Sequence, residues 1–164
     1  MTVRVLIVGL LVLSLGLGAL MYWLQVYAFY REVAAEAVPV TLADGAASTR
    51  PVSGFRGIDS DSSPIRYRAC FALGGAAEGL AAYPRATPLT TPRWFDCFDA
   101  RAIGEALLAG EATAVLAEAD VVPGIDRVMA VFPDGRAFAW TQIDPCGELI
   151  DDDEREPFCP RSEP

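Results

Sequence analysis

The chain has 164 residues, just over half of them hydrophobic, and carries 13 basic against 22 acidic side chains for a formal charge of −9. It contains no histidine, no lysine and no asparagine. That balance leaves no basic face for nucleic acid. It also removes the Ser-His-Asp triad, the Cys-His pair, the typical zinc site, the P-loop and the Schiff-base lysine.

After Arg4 no charged side chain appears until Arg31. The apolar part of this run is long enough for a helix across the hydrocarbon core, which needs about 20 residues. Tyr22, Trp23, Tyr27, Phe29 and Tyr30 gather at its far end, where amphipathic rings sit at headgroup level. A cleaved signal peptide is the competing reading. Its apolar region is only about 7–15 residues and ends in small residues, whereas this run ends Met21-Tyr22-Trp23-Leu24. The expectation is an uncleaved transmembrane helix at residues 5–29 with residues 1–4 cytoplasmic. Arg4 and the terminal amine favour that orientation, and Arg31 opposes it. Gly9, Ser14, Gly16 and Gly18 are small positions at which a second helix could approach closely.

Residues 30–37 continue with helix formers, which predicts a helical extension stopped at Pro39. Residues 38–42 read as a short strand, Asp44-Gly45 as a turn, and residues 46–50 as a polar loop. The Gly-, Ser- and Asp-rich stretch 53–64 leads into the clearest strand, residues 65–73. There Ile65, Tyr67, Ala69, Phe71 and Leu73 alternate with Arg66, Arg68, Cys70 and Ala72. Residues 76–82 suggest one or two helical turns, and Pro84, Pro88 and Pro92 force an irregular loop. Asp99 is placed to cap a helix over 100–109 that Gly110 ends. Residues 111–119 fit either a strand or a helix. Residues 125–132 and 136–143, joined by Pro133-Asp134-Gly135, read as a hairpin.

The fold class expected is α+β: a single N-terminal transmembrane helix, then one small antiparallel-sheet domain with one or two short helices. The domain is placed at residues 38–143. An acidic, disulfide-tethered tail follows at residues 144–164, with Asp144, Glu148, Asp151, Asp152, Asp153, Glu154, Glu156 and Glu163 against Arg155 and Arg161. Such a surface attracts a basic soluble protein, though acidic runs also occur simply as solvated tails.

Cys70, Cys97, Cys146 and Cys159 all follow the apolar run, and none forms a C-x-x-C pair. An even number in a small exported domain reads as two disulfides. The pairing favoured is Cys70–Cys97 with Cys146–Cys159. Four soft ligands for copper are the alternative.

Arg56, Arg66 and Arg68 are candidate anion ligands, since guanidinium groups bind carboxylate and phosphate bidentately. Pairing with acids of the same domain competes with that role. Asp59-Ser60-Asp61-Ser62-Ser63 offers oxygen ligands for a hard cation, or a capped turn entering the strand. Trp94, Phe95, Phe98, Trp140 and Phe158 read as core, or as a protein-binding face where exposed.

Residues 57–71, Gly-Ile-Asp-Ser-Asp-Ser-Ser-Pro-Ile-Arg-Tyr-Arg-Ala-Cys-Phe, taken with Met-Tyr-Trp-Leu-Gln-Val-Tyr at 21–27, resemble a family of small uncharacterised alphaproteobacterial membrane proteins. The resemblance implies an inner-membrane protein of a high-GC bacterium. It implies no activity.

These readings lead to an expected non-catalytic inner-membrane accessory protein with no cofactor and no catalytic residue. Its partners would be the membrane and other membrane-protein subunits, such as those of respiratory or photosynthetic electron-transfer complexes. Tyr22, Trp23, Tyr27 and Tyr30 would mark the membrane interface. A periplasmic ligand-binding or sensing module and a copper or thiol assembly factor are the alternatives.

Overall fold

The computed structural model describes residues 3–75 and 77–147. Val3–Trp23 form helix α1, which continues through a π-helical turn, Leu24–Ala28. The combined helix is long and apolar enough to cross a membrane. It is apolar all round and buries none of its side chains, the pattern of a helix that meets lipid or another helix on every side.

The helical extension expected over residues 30–37 is not formed. Arg31–Val33 make strand β1 and Ala37–Thr41 make strand β2. Both pair antiparallel with strand β3, Ala47–Asp59, and this non-local pairing overrides the local helix preference. β3 also replaces the loop expected at residues 46–50 and takes in most of the Gly- and Ser-rich stretch. The register shifts between Ser53 and Arg56, with Gly54 at φ +62°. This bulge lets β3 turn from one partner to the next. Its first half carries β2, and its second half lies between β1 and strand β4, Arg68–Leu73.

Helix α2, Ala100–Ala109, follows the expected bounds. The Asp99 carboxylate accepts from the Arg101 and Ala102 amides at 3.0 and 3.1 Å. Gly110 closes the helix at φ +71°, a left-handed conformation that glycine adopts without strain. The ambiguous segment resolves as strand β5, Thr113–Val122, and the hairpin forms as β6, Ile125–Val131, and β7, Arg136–Ile143. Residues 77–82 form no helix; Leu80 and Ala82 make isolated bridges to Leu42 and Val115.

The sheet order is β1-β3-β4-β7-β6-β5, with β2 attached to β3 off that path. Alternation along the strands creates two cores. One face presents Phe71, Leu73, Met129 and Val131 beneath Val38 and Val40 of β2. The other presents Cys70, Val128 and Trp140 beneath Phe95, Phe98 and the α2 residues Ile103 and Ala106. The fold is α+β, with an N-terminal apolar helix, one antiparallel seven-strand sheet and one short helix among the described residues.

Candidate functional site

Only Phe29 and Tyr30 separate the π-helical turn from β1. At that junction the Trp94 indole N–H donates to the Val26 carbonyl at 2.8 Å. Carbonyls in the last turn of a helix lack intrahelical partners, and the indole supplies one here. The Trp94 ring stacks on Tyr27 at 6.2 Å and meets Tyr30 and Phe95 edge-on at 5.9 and 6.2 Å. Of the expected interface aromatics, Tyr22, Trp23 and Tyr27 are exposed on the helix, while Tyr30 is drawn onto the domain.

The loop that carries Trp94 is fastened to β4 by the Cys70–Cys97 disulfide. This is the pairing favoured from sequence. Cys146 is also disulfide-bonded; the expected pairing with Cys159 lies outside the described residues, as do Phe158 and the acidic tail beyond Gly147. With both sulfurs in a covalent bond, Cys70 and Cys97 present no thiolate to copper.

A cleft of about 340 Å³ opens beside the aromatic junction, between β1, β3 and the Trp94–Phe95 loop. Glu32 and Arg56 line it together with Phe55, Trp94 and Phe95. Arg56 donates to Asp96 at 2.8 Å and lies 5.7 Å from the Phe95 ring centre. The hydrogen bond from Arg56 holds the Asp96 carboxyl below the usual range.

The three candidate anion-binding arginines do not share one site. Arg68 is only 5% exposed, and its guanidinium donates to the carbonyls of Leu89, Ile65, Tyr67 and Thr90. Burial lowers its pKa to about 10. Arg66 precedes β4, donates to Ser62 at 3.2 Å and covers the Tyr30 ring at 5.4 Å. Arg56 alone reaches the cleft.

The Asp59–Ser63 segment is a turn. Asp59 accepts from the Ser60 amide, Ser60 and Ser62 hydroxyls are hydrogen-bonded, and Arg31 pairs with Asp59 and Asp61. Among the described residues no group of His, Cys, Asp and Glu has a metal-holding arrangement. The glycines Gly9, Gly16 and Gly18 lie on α1 with open space around them, and Ser14 is exposed on the same helix.

Two polar features were not singled out from sequence. Asp126 is buried on β6, accepting from the Tyr83 hydroxyl and the Asp120 amide, both at 3.0 Å. Burial raises both the Asp126 carboxyl and the Tyr83 hydroxyl. An Asp-Arg pair at the start of an otherwise apolar strand was the available signal. The second is Arg127, which lies 4.5 Å from the Tyr67 ring centre and pairs with Glu118 at 2.6 Å beside a cleft of about 400 Å³. Burial pushes the Tyr67 hydroxyl up to about 12.

The arrangement is therefore a sheet clamped at one corner to the end of an apolar helix, with a mixed aromatic and charged cleft at the clamp. No curated protein and no solved structure matches the chain. The model of a family of unknown function, DUF6446, matches residues 38–160, and the chain belongs to that family.

Proposed function

We propose that the protein is a non-catalytic single-pass membrane protein that acts as an accessory subunit or assembly partner of a larger membrane complex. Its N-terminus lies in the cytoplasm and its sheet domain on the periplasmic face of a bacterial inner membrane. The observation that carries this reading is α1, which leaves its whole apolar surface uncovered while its last turn is clamped to the domain by Trp94. Lipid and a neighbouring helix are the two environments that satisfy such a surface. The Cys70–Cys97 disulfide supports an oxidising compartment. The acid excess of the chain suits a basic soluble partner, such as a carrier serving an electron-transfer complex.

The test is mild-detergent extraction of the native protein, blue-native electrophoresis and mass spectrometry of the band. The expected result is migration with a multi-subunit membrane complex. Migration as a monomer or dimer at every ionic strength would overturn the accessory-subunit reading.

A further inference from the structure

We infer that the cleft beside Trp94 holds a zwitterionic phospholipid headgroup, with the phosphate on Arg56, the ammonium on Glu32 and the aromatic rings beneath it. The inference deepens the membrane-anchored reading and rests on it.

The placement follows from the register. Glu32 on β1 pairs with Ile58 on β3. Arg56, two residues before Ile58, stands on the same face of the sheet as its diagonal neighbour. Diagonal neighbours of this kind lie about 7–8 Å apart. The two opposite charges do not close on each other; Arg56 turns to Asp96 instead. Glu32 is exposed. A guanidinium has five N–H donors in a fixed fork, so one hydrogen bond to Asp96 leaves Arg56 donors for a phosphate.

The depth is set by Trp94. The indole that walls the cleft is the one bonded to Val26 in the last turn of the apolar helix. In a membrane-anchored chain this level is the headgroup layer, where tyrosine and tryptophan collect. Trp94 and Phe95 line the cleft, and an aromatic wall favours an ammonium group. An anionic lipid without an ammonium would satisfy Arg56 and leave Glu32 opposed to its charge.

The test uses the full chain in nanodiscs that contain equal amounts of phosphatidylethanolamine and phosphatidylglycerol. Native mass spectrometry reads the lipid retained on release, and a photo-crosslinking side chain at Ala34, on the cleft wall, reports what occupies it. The expected result is retention of one phosphatidylethanolamine over phosphatidylglycerol by about tenfold, the scale of one charged hydrogen bond, with the crosslink on lipid. Glu32→Gln should bring the two lipids to near parity, and Arg56→Gln should release both. Equal retention by the unmodified protein, indifference to Glu32→Gln, or a crosslink to another protein chain would overturn the inference. A chain that fails to enter nanodiscs overturns the membrane reading as well; one that enters without headgroup preference overturns this inference alone.

Discussion

Trp94 and Val26 are joined by a 2.8 Å hydrogen bond across 68 positions of sequence, indole N–H to backbone carbonyl. Trp94→Phe would keep an aromatic ring against Tyr27 and remove the donor. A hydrogen bond of this type contributes about 1 kcal/mol. Amide hydrogen exchange at residues 24–30 should therefore accelerate about fivefold, with the exchange of β6 and β7 unchanged. Uniform exchange across the domain in both proteins would show that the indole does not hold the helix end.

The disulfide acts on the same corner from the other side. Cys70 and Cys97 are 27 positions apart, and closing a loop of that length stabilises a fold by about 3–4 kcal/mol in the chain-entropy model. The double variant Cys70→Ser, Cys97→Ser should lose that amount in denaturant titration of the full chain in detergent. The Trp94 loop should also become protease-sensitive. A loss below about 1 kcal/mol would mean that the Phe95 and Phe98 contacts suffice to hold the loop.

Asp126 gives a pH dependence of defined sign. Burial holds its carboxyl above the ordinary 3.8, so the folded state binds this proton more tightly than the unfolded chain does. Its contribution is fully present below 3.8 and is lost as pH rises through the raised folded value. Asp126→Asn keeps an acceptor for the Asp120 amide and offers an amide donor to the Tyr83 oxygen. The variant should be at least as stable as the parent at neutral pH, with a flatter stability profile above about pH 4. Destabilisation at neutral pH by more than about 1 kcal/mol would show that the ionised carboxylate is the form the fold prefers.

Gly57 tests the seat of β1. A Cβ at this position would stand 2.7 Å from both a Phe55 ring carbon and a Val33 methyl. Phe55 is itself stacked on Phe71 at 5.6 Å, so it has little room to yield. Gly57→Ala should cost about 1–3 kcal/mol and free Arg31–Val33 from β3, seen as lost exchange protection in β1. Retained protection there would show that Val33 accommodates the methyl.

The parts legible in the sequence are those fixed by neighbours in the chain. Asp99 and Gly110 mark α2 because a capping carboxylate and a left-handed glycine act within one turn of the helix. Asp134-Gly135 marks the β6–β7 hairpin for the same reason, and the apolar run marks α1 by composition alone. β1 and the whole of β3 carry no such local mark, because their identity lies in partners far along the chain. Arg31–Val33 has the composition of a helix and becomes a strand only against residues 57–59. The candidate site divided in the same way. Cys70 and Cys97 were paired correctly, whereas the alternation that put Arg68 and Cys70 on one face carried no information that Arg68 would be buried on four carbonyls. Nothing local connects Trp94 to Val26.

Phe29 and Tyr30 are all that lies between the helical turn and β1, a connection only two residues long. A tilt or axial rotation of the helix reaches β1 and β3 as torque instead of dissipating in a linker. A load on the far edge of the sheet, at β5, returns to the helix as leverage. The molecule is in this respect a crank, with Trp94 as the pin that joins the arm to the shaft.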